Sequence, residues 1–199
     1  MDIVDGGVYG KAGSFNETTR VALWGMGPHS GGVIISYSLY FKTEKHNENL
    51  VLIHMGGIFA HRHESKEHIM TLTLDNGFPS LYINSDTRLV ASIENGLSDG
   101  EWHNLAVSMP RKSAKLSELT MIVDGKSVPA TVEGIDDHLF FSTNGRLSLG
   151  GFGQSGRIFD SETFNFMSPF SGLMDDVFVW SRPLKTSDFS RQSGEYISA

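Results

Sequence analysis

Cysteine is absent from the chain. Its absence excludes a disulfide framework, a CxxC redox pair, a thiolate zinc site and a cysteine nucleophile. Proline is scarce, with 6 among 199 residues. No apolar run reaches the ~18 residues of a transmembrane helix, so no membrane insertion is expected. No segment carries a 3.6-residue apolar stripe over three turns, so helices are not expected either. Positive charge is in the minority: 16 Lys and Arg stand against 23 Asp and Glu, a formal net charge of -7. That balance argues against nucleic acid and against an anionic membrane surface as partners. The opening MDIVDGG has neither the basic nor the apolar region of a signal peptide. If the domain works outside a cell, it is expected to be a mature fragment or one module of a larger chain.

Turn formers and aromatics are plentiful. The chain has 22 Gly, 13 Phe and 3 Trp, and 39% of its residues are hydrophobic. The length fits one large β-domain, and composition does not shift along it, so 1–199 reads as a single domain. Short alternating segments recur: 33–41, 50–54, 68–74, 80–83, 87–93, 102–109, 119–123, 128–132, 139–142, 146–149 and 174–180. Asp75-Asn76-Gly77, Asp99-Gly100 and Asp124-Gly125 are tight-turn signals between them. Strands this short and evenly spaced predict an all-β, antiparallel β-sandwich of jelly-roll type. Asn16-Glu17-Thr18 is a glycosylation sequon, which permits an extracellular life without establishing one.

Within that pattern, Leu105 and Val107 share one face of their strand and Ala106 the other. Trp102 opens the same strand, where its ring packs and its N–H is expected to find a carbonyl. In 174–180, strict alternation puts Asp176, Phe178 and Trp180 on one face and Asp175, Val177 and Val179 on the other. The adjacent acids Asp136-Asp137 and Asp175-Asp176 then point to opposite sides, so neither pair flanks one glycosidic bond.

Four segments, in order, resemble laminin G-like domains and their pentraxin-like and concanavalin A-like relatives. They are LSDGEWHNLAVS (97–108), LTMIVDG (119–125), RLSLGG (146–151) and GLMDDVFVWSRPL (172–184). GKAGSF (10–15) is similar to the family opening. The resemblance implies a concanavalin A-like sandwich of about a dozen or more strands, with Trp102, Asp176 and Trp180 as scaffold. It also implies a ligand rim, often with calcium, on the loops at one end.

Counting hairpins places the turns at 75–77, 97–100 and 124–125 at one end and the loops 55–67, 84–86, 110–118 and 134–145 at the other. The candidate ligand-binding residues on that second rim are His61, Arg62, His63, Arg111, Lys112, Lys115 and His138. They make the rim locally basic, which suits an acidic or sulfated glycan. His61-x-His63 has the spacing of a two-imidazole metal clasp but no visible third ligand. The family's calcium position falls at Glu67 or His68, and a histidine there is a poor calcium ligand. Asp160 and Glu162, in the long loop 151–171, and Asp175 are the alternative calcium candidates. Phe152, Phe164 and Phe166 in that loop are candidate docking aromatics.

The expected function is a non-catalytic extracellular recognition or adhesion module that binds a glycan or a partner protein through its loop rim. A structural or assembly domain of a larger protein is one alternative. A polysaccharide hydrolase or lyase is the other, although no E-x-D-x-E pattern and no nucleophile elbow is present.

Overall fold

A computed structural model describes residues 1–23, 36–57, 69–83, 86–111, 113–139, 145–152 and 167–189. The first strands are β1 (Asp2–Gly7), β2 (Gly10–Phe15), β3 (Val21–Leu23), β4 (Ser36–Lys42) and β5 (Asn49–Gly57). There follow β6 (Met70–Asp75), β7 (Phe78–Ile83), β8 (Thr87–Ala91), β9 (His103–Ser108) and β10 (Thr120–Val123). The last are β11 (Lys126–Val128), β12 (Ala130–Glu133), β13 (Gly145–Leu149), β14 (Ser168–Pro169) and β15 (Gly172–Trp180). Two three-residue 3-10 turns, Leu116–Glu118 and Thr186–Asp188, are the helical elements of the described residues.

The strands form a sandwich. A seven-stranded sheet runs β1-β2-β15-β4-β9-β10-β11, and an eight-stranded sheet runs β12-β8-β7-β6-β5-β13-β3, with β14 added parallel to β5. All other pairings are antiparallel. The core is built by alternation: Tyr37, Leu39 and Phe41 of β4 and Leu105 and Val107 of β9 meet Leu72, Leu81 and Leu89 of the facing sheet. Ala106, as expected, faces the other way and packs with Ile122 and Leu184.

The segment expected as one strand at 128–132 is two. Pro129 separates β11 from β12, and the chain crosses there from the seven-stranded to the eight-stranded sheet. Proline cannot donate to a ladder, so the break falls where pairing changes partners. Of the segment expected at 139–142, Leu139 makes one bond to the carbonyl of Ala114 and belongs to no strand, while 140–144 lie outside the described residues. The strands β1, β2, β3 and β14 were not expected from alternation.

Strict alternation also fails in β15. Asp175 pairs with Tyr40 and Phe178 with Ser38, so Asp176 and Val177 together oppose one residue, Leu39. This is a β-bulge, and Asp176 turns it in the left-handed region at φ 44°. Asp175 therefore shares the outer face with Phe178 and Trp180, while Val177 and Val179 pack on the core. It also lies within the strand, three residues past its start.

Candidate functional site

The two ends of the sandwich divide as hairpin counting predicts. At the turn end, Leu97 N–H reaches Gly77 O at 2.8 Å and Gly100 N–H reaches Thr43 O at 3.0 Å. Trp102 finds its carbonyl there: Nε1 donates to Gly6 O at 3.2 Å and ties the β1–β2 hairpin to the sheet.

The opposite rim is built from the segments after β7, β9 and β12. Asp136 joins two of them by accepting Ser117 N–H at 2.9 Å and Ser117 Oγ–H at 2.6 Å. Leu139 N–H donates to Ala114 O at 2.9 Å, and Ile135 N–H donates to Thr87 Oγ1 at 3.3 Å. Between these segments opens a pocket of about 180 Å³, lined by Ile83, Asp86, Thr87, Leu116, Ile135, Asp137 and Leu139. Its floor is apolar because Leu116 and Leu139 belong to the core. Its mouth carries Asp86, Asp137 and Ile135, the last being 76% exposed.

Arg111, Lys115 and His138 lie on this rim as expected, but they do not make its described part basic. Arg111 Nη2 forms an ion pair with Glu118 at 2.6 Å. A backbone N–H from Lys115 and that guanidinium hold Glu118 below the usual carboxylate range. His138 Nδ1 donates to Ser113 O at 2.8 Å. Bonds from the Ser117 hydroxyl and N–H lower the pKa of Asp136. The described rim thus sets Arg111, Lys115 and His138 against Asp86, Glu118, Asp136 and Asp137. His61, Arg62, His63 and Lys112 lie outside the described residues, as do Glu67 and His68.

The calcium candidates are not brought together by what is described. Asp175 Oδ2 accepts Tyr9 N–H at 3.4 Å and Oδ1 accepts Asp176 N–H at 2.9 Å, on the outer face of the seven-stranded sheet. Asp160 and Glu162 lie outside the described residues. The flanks of their loop, Phe152 and Met167, pack against Val51 and Tyr82 on the outer face of the other sheet. Among the described residues no three His, Asp or Glu side chains gather as a metal site. Phe152 is not free for docking, since its ring lies 4.9 Å from that of His54 in an edge contact. Phe164 and Phe166 lie outside the described residues.

The pocket residues Asp86, Thr87, Leu116 and Ile135 carry no motif. Asp136-Asp137 was the available signal; the pair lies in the loop after β12 and not in a strand, so alternation does not apply to it, and Asp136 braces Ser117 while Asp137 lines the pocket.

The family pattern of laminin G domains matches residues 41–182, most of the sandwich. The chain belongs to the laminin G domain family. Solved structures share the fold. This laminin G domain superposes on domain 4 of AbnA, a GH43 extracellular arabinanase from Geobacillus stearothermophilus solved with arabinotriose. The TM-score is 0.65 and the identity 19%, over 94% of this chain and 78% of that one. It matches mouse laminin alpha1 domains LG4-5 with TM-score 0.60 and 19% identity, over 94% of this chain and 46% of that one. The Ruminococcus gnavus IT-sialidase CBM40 matches with TM-score 0.60 and 13% identity, over 89% of this chain and 94% of that one. The fold is therefore common to adhesion-type domains and to parts of glycan-acting enzymes. No curated protein matches the sequence.

Proposed function

We propose that this laminin G domain is a non-catalytic recognition module, working outside the cell or at its surface within a larger chain, and that it binds a neutral glycan in the rim pocket. The observation that carries the reading is the pocket itself. Its apolar floor of Ile83, Leu116 and Leu139 suits the C–H face of a sugar ring, and Asp86, Asp137 and Thr87 offer acceptors to hydroxyl groups. Carboxylates at the mouth disfavour a sulfated or acidic glycan, so the ligand class shifts from the one a basic rim implied. The arabinotriose complex among the fold relatives supports a neutral saccharide, while the carbohydrate-binding module, solved with alpha2,3 sialyllactose, supports a saccharide ligand without favouring a neutral one.

The test is an array of neutral and acidic oligosaccharides probed with the whole chain, with calcium and with a chelator, followed by calorimetry on the hits. Neutral saccharides are expected to bind; Asp137→Ala is expected to weaken binding at least about tenfold, the scale of one lost hydrogen bond to a charged group, and Ile135→Ala to weaken it through the lost apolar contact. Binding confined to acidic glycans, or binding that neither substitution changes, would sink the rim reading.

Asp86 and Asp137 in one pocket also favour a second reading, a polysaccharide hydrolase, because glycosidic cleavage needs two carboxylates flanking one bond. Release of reducing ends from a bound oligosaccharide, abolished in Asp137→Asn, would establish it in place of simple recognition.

A further inference from the structure

We propose that Asp99, His103 and Asp124 form a proton-controlled latch that closes the turn end of the sandwich while the imidazole is doubly protonated. His103 is the first residue of β9. Asp99 lies in the turn before it, and Asp124 lies in the turn joining β10 to β11. His103 Nε2 is 3.0 Å from Asp99 Oδ1, and Nδ1 is 2.9 Å from Asp124 Oδ2. An ionised carboxylate only accepts, so both contacts are hydrogen bonds only when both ring nitrogens carry protons. A neutral imidazole keeps one of them.

The ring is poorly placed to exchange a lost bond for water. Its side chain is 13% exposed and it stacks toward Phe41, with centroids 6.0 Å apart. Both aspartates have further partners that fix them. Asp124 Oδ1 accepts Asn104 N–H at 2.8 Å, across the β9–β10 ladder. Asp99 Oδ1 accepts Glu101 N–H at 2.9 Å, within its own turn. Loss of the Asp99 contact therefore loosens Asp99–Glu101, with the bonds of the Leu97 and Gly100 amides to Gly77 O and Thr43 O as the remaining ties of the turn, whereas Asp124 stays bound to the sheet. Trp102 and its bond to Gly6 adjoin that turn, so the β1–β2 hairpin is the next element to feel the release.

Other ionisable groups surround the latch. Tyr40 and Lys42 flank Phe41 on β4, and alternation turns them to the opposite face. Glu44 lies beside Gly100, Glu101 is exposed in the turn, and Lys126 follows the Asp124-Gly125 turn. None of these makes a hydrogen bond to the ring among the described contacts, so the two aspartates set its charge.

Burial pushes the His103 pKa down, but hydrogen bonds to Asp124 and Asp99 outweigh it and hold the group above the ordinary histidine value. A raised folded-state value means the latch contributes in full below the unfolded value, about 6.5, and is lost as pH rises through the higher value of His103. Asp99 sets the other limit. Glu101 N–H, and then His103, lower its pKa, so its share is present above about 3.9 and lost as pH falls through the depressed value.

The test is an NMR titration of the intact chain that follows the His103 ring and the protection factors of the Gly100 and Glu101 amides between pH ~5.5 and ~8.5. The wild type is expected to lose roughly tenfold in protection at these amides across the His103 transition, the scale of one charge-assisted hydrogen bond. His103→Gln is expected to show no such step, and Asp99→Asn, which leaves the imidazole in place, should lower the His103 midpoint. A wild-type profile parallel to that of His103→Gln would overturn the latch. So would a His103 midpoint at or below that of free histidine, or one that Asp99→Asn leaves unmoved.

Discussion

Asp136 accepts two hydrogen bonds from one residue, Ser117, and so fixes the loop after β12 to the 3-10 turn Leu116–Glu118. Those segments form two walls of the rim pocket. Asp136→Ala is expected to loosen Ile135–Leu139 and weaken saccharide binding without unfolding the sandwich, because both partners are at the surface. Hydrogen exchange of the Ser117 amide, with calorimetry on the same variant, checks both halves.

The Asp136 pKa is lowered by those bonds, so their contribution is present above the ordinary aspartate value of about 3.9 and lost as pH falls through the lower folded value. Protection of the Ser117 amide is expected to drop in that acid range. In Asp136→Asn, which does not titrate, the same amide should show no acid step.

How far such details could be anticipated differs by element. Leu105 and Val107 declare their roles because period-2 alternation is unbroken in β9, whereas Trp102, just before that strand, is legible from its indole N–H needing an acceptor. The two ends of the sandwich follow from turn residues whose chemistry is local, such as Asp124-Gly125. Asp175 was misplaced because a bulge moves every later residue to the other face, and no local pattern marks Asp176 for a left-handed conformation. Asp2–Gly7 was missed because an exposed edge strand has no buried face to impose alternation. The pocket was only half legible, since its walls come from separate loops and mix acid with apolar side chains.

Gly172 faces the carbonyl of Lys42 so closely that a Cβ would overlap it, and its φ is 147°. Gly172→Ala is expected to destabilise the domain by at least ~2 kcal/mol, combining strain with displacement of β15 from β4. Chemical denaturation gives the number. A change within ~0.5 kcal/mol would mean that β15 is not held against β4 as described.

Arg88 is central to a polar network on the outer face of the eight-stranded sheet. Its Nη1 donates to Asp75 Oδ2 at 2.9 Å and to the Tyr82 hydroxyl at 2.8 Å, and its Nε donates to Glu133 at 2.7 Å. The Asp75 side chain is only 10% exposed, so removing the guanidinium leaves a carboxylate partly uncompensated. Arg88→Met should cost about 1–2 kcal/mol, part of which returns in Arg88→Met with Asp75→Asn. A loss in the double variant equal to the sum of the losses in Arg88→Met and Asp75→Asn alone would contradict a coupled pair.

The most direct measurement is an amide-shift titration of the chain with the neutral oligosaccharides that score on the array, arabinotriose among them. The predicted result is saturable shifts concentrated at Asp86–Thr87, Leu116 and Ile135–Leu139, with the ligand recovered unchanged. Shifts confined to a sheet face or to the turn end, or no response to any neutral saccharide, would contradict recognition at the rim.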